Sequence, residues 1–165
     1  MKYSKHDRRK YPRIDTLLNA RFIIIGKSNE KEMISRTINA TTKTISTSGV
    51  CLKTNVVQVD GLHICSSVSG LDKNKLNIEI DLPPSFGSIN AIGEVSWYDL
   101  MPENDDYLYC VGVAFIELSE DDMKVLNSYI TKQIKERKTR LGFLHKWISL
   151  IFLFAVFGPS FPFLF

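Results

Sequence analysis

Histidine and cysteine are scarce in this chain, and neither is arranged for chemistry. The 165 residues contain three of each. His6, His63 and His145 lie far apart without ligand spacing, and Cys51, Cys65 and Cys110 form no CxxC pair. A bound metal or a redox dithiol is therefore not expected. The cysteines read as reduced thiols packed as small hydrophobes in a reducing compartment. No serine or cysteine comes with a recognisable base motif. Asp105-Asp106 and Glu120-Asp121-Asp122 read as a solvated loop and a helix start, not as catalytic or calcium-binding carboxylates. No argument for an enzyme remains. The first thirteen residues lack the apolar core of a secretory leader, so none is expected. Internal repeats and low-complexity linkers are also missing.

What is present suits one ordinary domain with an appendage. Hydrophobic residues make up 44% and charged residues 24%, enough to bury a core. The net charge of +3 conceals a strong asymmetry. Residues 1–13 hold six basic side chains and one acidic, a local +5, and residues 132–146 repeat that count. The middle must then carry −7. Basic ends on an acidic body suit two local anion-facing sites and argue against a general binder of nucleic-acid polymers.

Four regions follow along the chain. Residues 1–14 form a polar, basic arm, expected to be extended and mobile when nothing is bound. Residues 15–135 read as short strands followed by a helix. Strand signals occur at Ala20–Ile25, Met33–Ile45, Gly49–Thr54, Leu76–Leu82, Ile89–Trp97 and Tyr107–Phe115. Their period-2 alternation turns one face inward. Six short strands without intervening helices indicate a mainly β, antiparallel barrel or sandwich. Ser119 is a good N-cap, with acidic residues on the first turn where the helix dipole favours them. Met123, Leu126, Ile130 and Ile134 make one apolar stripe, expected to seal one side or end of the barrel. Trp97 reads as a core residue and Trp147 as an interfacial one.

Two short stretches carry the functional signal. One is Arg8-Arg9-Lys10-Tyr11-Pro12-Arg13, the other Thr44-Ile45-Ser46-Thr47-Ser48-Gly49. Basic runs and serine-glycine turns are each common, but the ordered combination is not. It resembles the PilZ family. Arg9 to Arg13 fits that family's RxxxR, and Thr44 to Gly49 stands where the family has [D/N]xSxxG. Gly93-Glu94-Val95-Ser96-Trp97 and Gly112 to Ser119 are similar to its later strands, so the resemblance spans about Asp7 to Ile134.

The resemblance implies a six-stranded antiparallel barrel with a C-terminal α-helix, which in this sequence runs on into an apolar tail. It also implies a bacterial receptor, not an enzyme, that binds cyclic di-GMP on the barrel's outer side with no further cofactor. Arg9 and Arg13 would be the main ligand residues, with Arg8 assisting, and Ser46 and Gly49 would form the opposite wall. Guanidinium groups suit a ligand of two phosphates and two guanines, because they fork onto phosphate oxygens or guanine O6 and N7. Glycine lets the backbone come close.

Thr44 departs from the pattern. The family's Asp or Asn accepts guanine N1–H and N2–H bonds, and a threonine hydroxyl accepts only part of them. Losing a bond to a charged acceptor costs roughly ten- to hundredfold in affinity, so weakened binding is expected. Lys43 beside it reads as an exposed strand residue. The alternative is a degenerate module that binds no nucleotide and serves as a membrane-bound scaffold for an unknown protein partner.

Residues 136–165 form a basic, then apolar, tail. Residues 147–165 carry no charge. As one helix these nineteen residues would extend about 28 Å, close to the hydrocarbon thickness of a bilayer. The preceding basic cluster favours the cytoplasmic face of the inner membrane. Gly158-Pro159 and Pro162 interrupt such a helix. A spanning anchor, interfacial insertion and a partner protein's groove all remain open.

Overall fold

Alternation decides the barrel wall. In the strand Lys75–Asp81, Leu76, Ile78 and Ile80 are buried while Lys75 and Asn77 face solvent. Ala20, Phe22 and Ile24 do the same in Asn19–Ser28, and Val50, Leu52 and Thr54 in Gly49–Thr54. Each fully buried Ile, Leu or Phe contributes roughly 1.5–3 kcal/mol relative to exposure. These inward faces form one core.

The structure is a computed structural model and describes residues 11–28, 31–65, 73–103 and 106–156, with 28, 106 and 140–156 as backbone only. The strands are β1 (Ile14–Asp15), β2 (Asn19–Ser28), β3 (Lys31–Ile34), β4 (Ile38–Ser46), β5 (Gly49–Thr54), β6 (Gln58–Val59), β7 (Leu62–His63), β8 (Lys75–Asp81), β9 (Ser88–Glu103) and β10 (Asp106–Leu118). One helix, α1 (Glu120–Val156), follows. All the pairings are antiparallel. The order β4-β5-β10-β9-β8-β2 closes on itself through a β2–β4 pairing. This is the expected six-stranded ring. β1 and β3 are added at its margins, and β6–β7 make a separate small hairpin.

The single strand read over Met33–Ile45 is in fact two. β3 pairs with the Ile25–Ser28 half of β2, and β4 pairs with the Asn19–Phe22 half. Between them Ser35 replaces a regular ladder step. Its Oγ accepts from Ile24 N at 2.8 Å and donates to Arg36 O at 2.9 Å. A serine that bonds the local backbone in this way competes with the continuous ladder.

The chain divides into two units, Met1–Ile130 and Thr131–Phe165. In the first unit α1 begins at the expected cap. Ser119 Oγ accepts from Asp122 N at 3.0 Å and donates to Asp122 Oδ2 at 2.7 Å. Leu126 and Ile130 are buried as expected, and Tyr129 joins them at 2% exposure. Tyr129 packs edge-on against Phe86 and shares a 2.9 Å hydrogen bond with Thr16 Oγ1. In the second unit α1 continues to Val156. Among the described residues no helix is long and apolar enough to cross a membrane. The tail beyond Val156 and the arm before Tyr11 lie outside the described residues.

Candidate functional site

The site begins at the β4–β5 turn. Thr47 and Ser48 reverse the chain between Ser46 and Gly49, which face each other in the ladder. Ser46 is 3% exposed, and its Oγ reaches Gly49 O at 3.2 Å and Ser48 Oγ at 3.3 Å. Phe115 N donates to Ser48 O at 3.0 Å and ties the turn to β10. A Cβ on Gly49 would overlap the carbonyl oxygen of Val113, so β5 and β10 can approach this closely only with glycine there.

Two irregularities then aim side chains outward. Opposed pairs run Thr42–Leu52 and Thr44–Cys51, which leaves Lys43 as an extra residue in β4. A bulge of this kind shifts the alternation by one. Thr42 therefore points inward, while Thr44 reaches the outer face. A second bulge lies at Ser96, between the pairs Val113–Val95 and Gly112–Trp97. Ile89, Ala91, Gly93 and Val95 are buried, and unbroken alternation would bury Trp97 as well. The bulge reverses it. Trp97 is 46% exposed, which corrects its reading as a core residue.

The outcome is one row of outward residues across four strands: Thr44, Cys51, Gly112 and Trp97. Arg13, immediately before β1, closes one side, and the Ser46–Gly49 turn closes another. Together they line a cleft of about 230 Å³ that also includes Ser96 and Ala114. Burial pushes the Cys51 thiol up to about 11, and neighbouring Cys110 adds to this while Lys43 and Arg13 oppose it. The cleft floor is thus a neutral, weakly polar thiol beside a cationic side chain. All three cysteines are free. Lys43 is exposed as expected, with Nζ 3.4 Å from Met101 Sδ and 3.9 Å from Cys110 Sγ.

Of the residues singled out from sequence, Arg13, Thr44, Ser46 and Gly49 meet at this cleft. Arg8 and Arg9 lie outside the described residues. Sequence reading missed Cys51, Ser96, Trp97 and Gly112 as cleft residues. The Gly93–Trp97 stretch was visible as a motif, but the bulge that turns its tryptophan outward has no sequence signature strong enough to read.

The family model for the PilZ domain matches residues 7–132. The chain belongs to the PilZ family. PilZ domains are receptors for cyclic di-GMP and not enzymes. Among solved structures, this PilZ domain is similar to the PilZ domain with c-di-GMP of YcgR from Escherichia coli. That match has 12% identity and a TM-score of 0.54, covering 81% of this chain and 97% of the other. It is also similar to the Bacillus subtilis inhibitor of motility MotI/DgrA, at 21% identity and a TM-score of 0.51. Here 78% of this chain and 52% of the other are covered. At these identities the likeness establishes the fold. No curated protein matches the chain significantly.

Proposed function

We infer that this PilZ domain binds cyclic di-GMP in the outer cleft between Arg13 and the Ser46–Gly49 turn. The observation that carries the reading is that Arg13, Thr44, Ser46 and Gly49, from two distant stretches of sequence, line one cavity. Arg13 supplies a planar fork for phosphate or guanine. Gly49 lets β5 lie close against β10, Gly112 makes room for the Trp97 indole, and that ring offers a face for stacking a base. Arg9, with Arg8 assisting, would close over the ligand from the arm. The solved YcgR domain was obtained with this ligand, which supports the reading by kinship of fold.

The response follows from the same geometry. Ligand capture draws the arm onto the barrel and creates a surface that a protein partner can read. The same reading puts the chain at the cytoplasmic face of the inner membrane. The six basic residues of 132–146 and the uncharged stretch 147–165 support it.

Titration calorimetry of the full-length chain in detergent micelles tests the binding. Saturable heat is expected, and Arg13→Ala should abolish it or weaken it at least about tenfold. An absence of heat at about 100 μM ligand (a free energy of only about −5.5 kcal/mol) would leave the scaffold reading in possession. One residue favours that second reading: Thr44 carries no carboxylate or amide where the family's turn motif has one.

A further inference from the structure

The outer row of the cleft continues one strand beyond Thr44. Asp15 stands directly opposite Thr44 in the β1–β4 ladder. Opposed residues of an antiparallel pair share a face, with Cβ atoms about 4.5–5.5 Å apart. Thr44 lines the cleft, and so does Arg13, two residues before Asp15. Ile14 between them is buried at 2% exposure, while Asp15 is exposed. The backbone of β1 thus sends Ile14 into the core and Asp15 to the side where Thr44 lies.

Asp15 brings a negative charge into a basic stretch of the chain. It is the only acidic residue from Arg8 to Asn29. A carboxylate beside an anion site repels phosphate. It attracts a ligand that also presents donors. Guanine presents two on one edge, N1–H and the exocyclic N2 amino group. An ionised carboxylate has two acceptor oxygens and takes both, whereas a threonine hydroxyl does not match this pair.

We propose that Asp15 reads the guanine edge in this chain, supplying from the neighbouring strand the carboxylate that Thr44 lacks. The proposal rests on the reading of the cleft as a cyclic di-GMP site. The geometry behind it is the register of β1 on β4, independent of the turn motif.

Calorimetry with two ligands tests it: cyclic di-GMP, and cyclic di-IMP, whose hypoxanthine keeps N1–H but lacks the N2 amino group. Wild type, Asp15→Ala, Thr44→Asp and the double variant are compared, with thermal melts to confirm folding. Wild type should prefer cyclic di-GMP by about tenfold. Asp15→Ala should weaken cyclic di-GMP about ten- to hundredfold and bring the preference close to one. Adding Thr44→Asp to Asp15→Ala should restore most of the loss. Equal weakening of both ligands by Asp15→Ala, with the preference intact, would overturn the proposal and reduce Asp15 to positioning Arg13. Unchanged binding in Asp15→Ala would overturn it while leaving the receptor reading in place. A wild type that binds neither ligand would remove both.

Discussion

The indole of Trp97 lies across Gly112, its opposed neighbour in the β9–β10 ladder, and occupies the place where a Cβ at 112 would sit. The pair forms one end of the cleft wall. Gly112→Ala should push the ring aside without breaking the ladder. Base stacking on an aromatic ring is worth about 1–3 kcal/mol, so the Kd for cyclic di-GMP should rise about ten- to hundredfold. Tryptophan emission, read in a Trp147→Phe background, should shift in the same variant. An unchanged Kd with unchanged emission would show that Gly112 does not set the ring's position.

Gly49 differs from Gly112 in what it faces. Its neighbour is the backbone carbonyl of Val113, which cannot swing away as a side chain can. Gly49→Ala should therefore act on the fold, costing about 1–3 kcal/mol as an overpacking substitution. Urea unfolding followed by circular dichroism measures it. A loss below about 0.5 kcal/mol would mean that β5 and β10 separate more easily than the ladder implies.

Tyr129 and Leu126 separate two contributions of α1 to the first unit. Tyr129→Phe keeps the ring against Phe86 and removes only the hydroxyl bonded to Thr16. The expected cost is about 0.5–1.5 kcal/mol. Leu126→Ala empties fully buried volume and should cost about 2–5 kcal/mol. Equilibrium unfolding of the two variants should rank Leu126→Ala as clearly the worse.

Cys51 gives the stability an alkaline limit. Its thiol is held at about 11 in the folded chain, against an ordinary value of 9.0. Below pH 9 both folded and unfolded chains keep the proton, so the contribution is constant. Between about pH 9 and 11 the unfolded chain releases its proton while the folded chain retains it, and stability falls as pH rises. Cys51→Ala should make the drop in Tm from pH 8 to pH 11 smaller than in wild type. An equal drop in both would show that other groups govern the alkaline loss.

The order of residues determined much of this protein. Strict alternation in Leu76–Leu82 exposed a half-buried strand, because a period of two has few other structural uses. Ser119 with three acidic residues after it marked the start of α1, because helix ends need acceptors for free N–H groups. Arg13, Thr44, Ser46 and Gly49 stood out through their resemblance to the family's two motifs, and the fold brings these four to one cleft. Tertiary structure decided the rest. The breaks in alternation at Lys43 and Ser96, and the separation of β3 from β4 at Ser35, depend on which strand lies alongside. Those pairings are made between residues far apart in the chain, so no local pattern announces them. For that reason Trp97 reads as core in the sequence and stands in the cleft in the fold, and Asp15 acquires a place beside Thr44 only once β1 has paired with β4.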